Sequence, residues 1–394
     1  MHRPSAGLAS SAPCEAERRR PDCRGAYFRF LLPILLCLTS AGAHAAESRA
    51  VQSIFLSSPS ITGNPNPRVP LAALLKFETR IPVATNVDVS DGEKRWRIDF
   101  PMVPEGKRTL PLVGMRPGRL HRFQVTVTDT AGRKLKSTRK LEFRTPPLPA
   151  DPFGFPKLEV VKSSPTEMEP GITLMTVRRR ALGRAHQLTP AQRDFSVRWG
   201  MIVAVDERGE VVWYYQSDRR IAGISVLRTG NLFYHSEGSV PAEIDVLGNK
   251  IREWGAALGP RKLPEGAIPV EATTLHHQPE ELPNGNFVSM MAAPRTVQNY
   301  YTSEYDANAP RKTQSVMGDD IIEFTPAGKV VWRWSAFDHL DPFRIGYETF
   351  SSYWWVRGFP GVLDWTHGNG VHYDPRDDSV ILSFRVQDAI IKVD

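Results

Sequence analysis

The stretch VDERGEVVW, from Val205 to Trp213, joins a turn signal, Asp206-Glu207-Arg208-Gly209, to a β-branched run that ends in an aromatic residue. It recurs loosely from Ile244-Asp245-Val246-Leu247-Gly248 up to Trp254, and again from Phe324-Thr325-Pro326-Ala327-Gly328 up to Trp332. Gly209 and Gly248 are 39 residues apart, and Gly248 and Gly328 are 80 apart, which is two such steps. A period near 40 residues, with short strands and turn glycines, is what a β-propeller blade requires. A second half-motif lies between the repeats, Leu227-Arg228-Thr229-Gly230-Asn231-Leu232 and Leu282-Pro283-Asn284-Gly285-Asn286-Phe287. Each blade would pair an inner hairpin with an outer one ending in Trp, and the Trp side chains are expected to pack between blades.

Further on, Leu363 to Arg385 reads LDWTHGNGVHYDPRDDSVILSFR, two alternating segments around the loop Asp374–Asp378. A turn centred on Arg376 opposes Tyr373 to Ser379, Asn369 to Ser383 and His367 to Arg385. Residues two apart on a strand share a face. An imidazole, a carboxamide, a hydroxyl and a guanidinium would therefore meet at one end of the hairpin, a donor set suited to a tetrahedral oxyanion. The competing reading pairs Arg385 with Asp364 or Asp388 and makes His367 a turn residue. Another histidine pair, His276-His277, precedes the Asn284-Gly285 turn. In a regular strand the two would face opposite ways, so one of them, His277, is expected to reach the channel.

Upstream, residues 47–147 read as an immunoglobulin- or fibronectin-like β-sandwich, with turns such as Thr62-Gly63-Asn64-Pro65 and alternating Phe123, Val125 and Val127. His121 is expected to be structural. Residues 148–157 form a Pro-rich connector, and the propeller begins at 158. Residues 1–46 have the form of a signal peptide: arginines, an apolar core from Phe28 to Leu38 that is too short to span a bilayer, and Ala43-His44-Ala45 at a cleavage site. The expected location is the periplasm, without a stable membrane anchor.

Cys14, Cys23 and Cys37 all fall in that leader, which leaves the exported chain without disulfides or thiol chemistry. The formal charge of +7 is partly carried by leader arginines, and no Lys/Arg run marks a nucleic-acid footprint. The histidines lack the spacings of a metal site, so neither a metal nor a cofactor is expected.

The Asp-x-x-Gly-x-Val-Val-Trp repeats, the His-His hairpin, and Asp364-Trp365-Thr366-His367-Gly368-Asn369 with Ser383-Phe384-Arg385 together resemble the bacterial arylsulfate sulfotransferases over about residues 50–394. The resemblance implies an exported all-β enzyme, a β-sandwich followed by a six-bladed propeller. Such an enzyme moves a sulfuryl group from a phenolic sulfate ester to a phenol through a sulfated histidine, with no nucleotide donor. It implies that His367, Asn369 and Arg385 hold and polarise the sulfuryl oxygens and that the His276-His277 pair supplies another such histidine. Trp354, Trp355 and Tyr353 are candidates to stack an aryl ring, or else core residues between blades.

The resemblance places the family's nucleophilic histidine on a later blade than the His367 hairpin. From Leu158 to Asp394 there are roughly 235 residues, too few to close six blades. The expectation is a C-terminally truncated member that lacks its nucleophile and does not turn over by itself. The partners are a phenolic sulfate donor and a phenol acceptor, and a homodimer is compatible with the sequence. Two alternatives are a non-catalytic binding propeller and a quinone-dependent dehydrogenase-like propeller. The latter is disfavoured by the lack of an adjacent cysteine pair and of an acidic Ca²⁺ constellation.

Overall fold

The computed structural model describes residues 54–181, 187–236 and 240–394. The leader 1–46 and its three cysteines lie outside them. The fold is all-β, built from several sheets, and its helices are short, notably Pro190–Val197 and Ala336–His339. Among the described residues no helix is long and apolar enough to cross a membrane.

Strands β1 (Phe55–Gly63), β2 (Ala73–Thr79), β3 (Val83–Ser90), β4 (Arg95–Val103), β5 (Gly106–Leu112), β6 (Leu120–Asp129), β7 (Lys134–Lys136) and β8 (Leu141–Arg144) form two sheets. One has the order β1-β2-β5; the other has β4-β3-β6-β7, with β8 also on β6. Their inward residues, among them Leu75, Phe77, Val87, Phe123 and Val125, make one apolar core. Strict alternation of buried and half-buried residues along β3 is the period-two pattern that forces this burial. His121 is buried edge-on to Trp96, with ring centroids 5.9 Å apart, and belongs to this packing.

The later strands are β9 (Thr173–Arg178), β10 (Gly200–Val205), β11 (Val211–Ser217), β12 (Ile221–Val226), β13 (Leu232–Ser236), β14 (Val240–Ile244), β15 (Lys250–Ala256), β16 (Ile268–Val270), β17 (His276–Glu281), β18 (Phe287–Tyr300), β19 (Lys312–Phe324), β20 (Val330–Ser335), β21 (Leu363–Asp364), β22 (Gly368–Asp374), β23 (Ser379–Phe384) and β24 (Ala389–Val393). They form four sheets taken in chain order, β9 to β11, β12 to β16, β17 to β20 with β21, and β22 to β24. Each sheet shares an apolar core with the next. Phe233 and Trp254 meet Phe287 and Phe324, and Val288, Met290 and Ile321 meet Val371, Leu382 and Phe384. Burying each such side chain contributes about 1.5–3 kcal/mol.

The sequence repeat has a local cause. In the first copy Asp206 Oδ1 accepts the N–H of Arg208 and of Glu210, both at 3.0 Å, and Gly209 takes φ +77°. In the second, Asp245 Oδ1 does the same for Leu247 and Asn249 at 2.9 Å, with Gly248 at φ +79°. Thr325 replaces the acid in the third copy, where its hydroxyl accepts from Lys329 N–H at 3.2 Å. A bulge adjoins every copy, at Ala204/Val205, Glu243/Ile244 and Glu323/Phe324. Only a left-handed residue closes this turn, which is why glycine recurs at the fourth position.

The first two repeat tryptophans stitch neighbouring sheets together, whereas Trp332, expected to pack in the same way, is exposed. Trp213 Nε1 donates to the Val246 carbonyl at 2.8 Å, and Trp254 Nε1 to that of Pro326 at 3.0 Å, each reaching the turn of the following repeat. The two N-terminal sheets dock on the same body through Val69 and Ala72 and through Asn64 Nδ2, which donates to the Leu247 carbonyl at 3.0 Å. The connector docks as well, Phe155 lying edge-on to Tyr214 with centroids 5.1 Å apart.

Candidate active site

One end of the later sheets encloses a cleft of about 190 Å³. His276 and His277 open β17, His235 comes from β13, and Tyr353, Trp354 and Arg357 come from the segment before β21. Arg178, Arg220, Arg261 and Lys262 add positive charge to the lining, and Pro260, Leu263 and Pro264 add apolar surface.

The expected alternation of His276 and His277 does not hold. His277 adopts φ +59°, and the β17–β18 register slips between His276 and Glu280. That break turns both rings to the cleft, edge-on to each other with centroids 5.4 Å apart. A left-handed histidine costs conformational energy that the surrounding packing must offset, and such residues concentrate where geometry serves function.

Behind this front rank stand two buried carboxylates. Asp319, on β19, has Oδ1 2.8 Å from His276 Nε2, while its Oδ2 accepts from the Thr366 hydroxyl and the Gly368 N–H, both at 2.6 Å. A Cβ on Gly368 would lie 2.8 Å from Met290 Sδ and 3.0 Å from Asp319 Oδ2, so the close approach needs glycine. Asp364 has Oδ2 2.5 Å from His367 Nδ1 and accepts at Oδ1 from Trp354 Nε1 at 2.8 Å. His367 is itself left-handed, at φ +48°, and its ring lies 4.2 Å from that of Tyr353. Arg357 covers the Tyr353 ring at 3.6 Å. A cation held over an aromatic face gains roughly 0.5–2 kcal/mol, which fixes both groups.

Electrostatics divide the histidines. Burial, reinforced by neighbouring His276, His235 and His367, brings His277 down to about 3. Burial brings His235 down to about 4, against a 2.8 Å hydrogen bond between its Nε2 and the Leu275 carbonyl. Both rings are therefore neutral near pH 7. Burial works against charge on Asp319, yet its contacts with His276, Thr366 and Gly368 hold the carboxyl below the ordinary carboxylate range. Burial raises Tyr353.

The hairpin of β22 and β23 differs from its sequence reading by one residue. Asp374 pairs with Ser379, Tyr373 with Val380 and Gly370 with Ser383, so the loop is one residue tighter, with Asp378 at φ +57°. Asp374 Oδ1, accepting Arg376 N–H at 3.1 Å, tightens the turn. A register shift between Gly368 and Gly370 then restores the expected opposition at the open end, where Arg385 N–H donates to the His367 carbonyl at 3.1 Å. The side chains nevertheless part: the His367 ring is buried on Asp364, while Arg385 is ion-paired with Glu348 and Asn369 is exposed. Neither Arg385 nor Asn369 lines the cleft.

A family model described as arylsulfotransferase (ASST) matches residues 157–394. The chain belongs to the arylsulfotransferase family. A search of curated proteins finds no match. The arylsulfotransferase match covers all four later sheets from β9 to β24, and hence every element that builds the cleft.

Several of its features were not read from the sequence. His235, Arg220, Arg357 and Asp319 carry no motif of their own. His235 had one available signal, since it stands three residues beyond Leu232 of the Leu-x-x-Gly-Asn-Leu half-motif, as Met290 does beyond Phe287 in the next copy. Met290 is the strand partner of His276 but is buried in the apolar core, so only the His235 copy of that position reaches the cleft.

Proposed function

We propose that this chain transfers a sulfuryl group from a phenolic sulfate ester to a phenol by way of a sulfated histidine, on an all-β frame of an immunoglobulin-like sandwich and propeller blades. The observation that carries this reading is the cleft itself, in which the neutral ring of His277 stands among Arg178, Arg220, Arg261, Lys262 and Arg357, with Tyr353 and Trp354 beside it. A sulfuryl group in transfer spreads negative charge over three oxygens, as a phosphoryl group does. Fixed donors in a partly desolvated cleft stabilise it most where that charge develops. The aromatic and proline surfaces suit the aryl ring.

Within this reading the cleft cations hold the sulfuryl oxygens, His277 faces the sulfur with His276 beside it, and His367 backs the cleft through its ring contact with Tyr353, while Asn369 lies outside it. Arg385, ion-paired with Glu348 outside the cleft, takes no part in holding the oxyanion. Export to the periplasm by the leader would put the cleft where phenolic sulfates arrive from outside. The family's nucleophilic histidine is placed by resemblance on a later repeat, but the cleft offers His277 in the neutral form that a nucleophile requires.

The test is phenol release from a chromogenic aryl sulfate by the full chain, with and without a phenolic acceptor. Acceptor-dependent release is expected, with kcat/KM falling about tenfold or more in Arg357→Ala, as for loss of a charged hydrogen bond. Mass spectrometry after exposure to donor alone should find one SO₃ group on a histidine. Saturable binding of an aryl sulfonate without any release would favour a binding module and overturn the transfer reading.

A further inference from the structure

We propose that Asp319 is a positioning residue that acts through His276, setting that ring as the proton carrier for the phenol. This rests on the sulfuryl-transfer reading above. Asp319 Oδ2 is already taken by the Thr366 hydroxyl and the Gly368 N–H, both at 2.6 Å. Oδ1 therefore faces a single partner, His276 Nε2, at 2.8 Å. The contact lies off the line of a hydrogen bond and neither atom has another hydrogen-bond partner. Two lone pairs facing each other at that distance repel, so both atoms are satisfied by a small turn of the ring with its proton on Nε2, which leaves the lone pair on Nδ1. Trp354 and His277, with centroids 5.6 and 5.4 Å away and both nearly perpendicular, fix the plane of the His276 ring.

Three segments distant in sequence converge on this one carboxylate: the start of β17, the middle of β19, and Thr366 to Gly368 before β22. Such a buried acid, held at Oδ2 with Oδ1 facing the ring, orients the ring and stabilises the imidazolium that forms when the ring takes a proton, as in serine-protease triads. The other charged and titratable groups around the ring are His277 on its own strand, His235 from β13, His367 and Asp364 from the following segment, and Tyr353, Arg220 and Arg357. The cations among them favour the phenolate oxygen that the proton leaves behind.

The step balances as follows. As the acceptor phenol oxygen forms its new bond to sulfur, its O–H proton moves to His276 Nδ1. The bond between sulfur and the group that carried it breaks, and the electron pair stays on that group. In the donor half-reaction, which comes first, the phenolate leaves with its electron pair and takes its proton from water. After the acceptor half-reaction the His276 imidazolium returns its proton to water, so the ring ends in its starting neutral form.

The experiment uses the full chain with ¹⁵N-labelled histidine, the His276 signals being identified by their loss in His276→Gln. Wild type should show the Nε2–H tautomer. In Asp319→Asn the carbonyl oxygen keeps the Thr366 and Gly368 bonds and turns its amide toward Nε2, so the tautomer should switch to Nδ1–H. For weakly acidic acceptor phenols kcat/KM should fall about 10²-fold or more in this variant, whereas for a nitrophenol already ionised at the assay pH it should fall less than about threefold. Equal losses for both acceptors would mark Asp319 as merely structural and overturn the proposal. So would an Nδ1–H tautomer in wild type, a measurement that does not depend on the variant folding. If wild type shows no acceptor-dependent release, the sulfuryl-transfer reading fails, while the tautomer spectra still decide for or against Asp319.

Discussion

The two ends of the later sheets are built on opposite principles. At the repeat turns the bonds that close the turn are local: Asp206 serves residues two and four positions on, and Asp245 repeats the pattern. At the cleft Asp319 binds Thr366 and Gly368, 47 and 49 residues away, and left-handed histidines stand where the turns have glycines. The turns are copies of one local hydrogen-bond pattern, although different residues pack against each. In the cleft each residue has a different partner, and one lost group leaves several others unsatisfied in a buried place.

The sharpest way to break this comparison is to delete one carboxylate from each end. Asp319→Leu strands the Thr366 hydroxyl, the Gly368 N–H and His276, and is expected to cost about 3–5 kcal/mol in urea unfolding, as for breaking a buried pair. Asp245→Ala removes only a local turn acceptor and should cost about 1 kcal/mol. Equal costs would show that the turns are as tightly coupled to the fold as the cleft.

The turns themselves differ in how closely they are packed. A Cβ at Gly328, where φ is +87°, would lie 2.1 Å from the Pro269 carbonyl oxygen, whereas at Gly230, with φ +82°, nothing stands within 4 Å. Gly230→Ala should cost about 1 kcal/mol for backbone strain alone, and Gly328→Ala about 2–3 kcal/mol because the neighbouring backbone must move as well. Denaturation midpoints of the two variants measure the difference. Matching values would mean that the third repeat turn is not clamped against its neighbour.

Protonation gives the smallest and most gradual effect. His277 and His235 are held near 3 and 4 by burial, below the ordinary histidine value near 6.5. Between those limits the unfolded chain binds more protons than the folded one, so stability falls as pH is lowered from about 6.5 toward 4. Each histidine steepens the slope by at most about 1.4 kcal/mol per pH unit. Urea unfolding at stepped pH should show a shallower acid slope in His277→Gln, and an unchanged slope would mean that the ring is not buried in its neutral form.

The sequence by itself determined the periodic part of this protein. A 39-residue step between Gly209 and Gly248, and the Asp, Gly and Trp at fixed offsets within it, specify turns, bulges and sheet-to-sheet bonds, because each depends on residues within a few positions of one another. The histidines at 276, 277 and 367 were legible as chemistry-bearing for the same reason, standing at the ends of recognisable hairpins. Their directions were not. A single left-handed residue at His277 brought both rings of the pair to the cleft, and a one-residue tightening at Asp374 with a compensating slip at Asn369 sent His367 inward and Arg385 toward Glu348. Alternation predicts faces only while the backbone stays regular, and one slip reverses every side chain beyond it. Asp319 and His235 were decided by tertiary structure. Their meaning comes from partners on other sheets, brought within hydrogen-bond reach only when the shared apolar cores between successive sheets have formed.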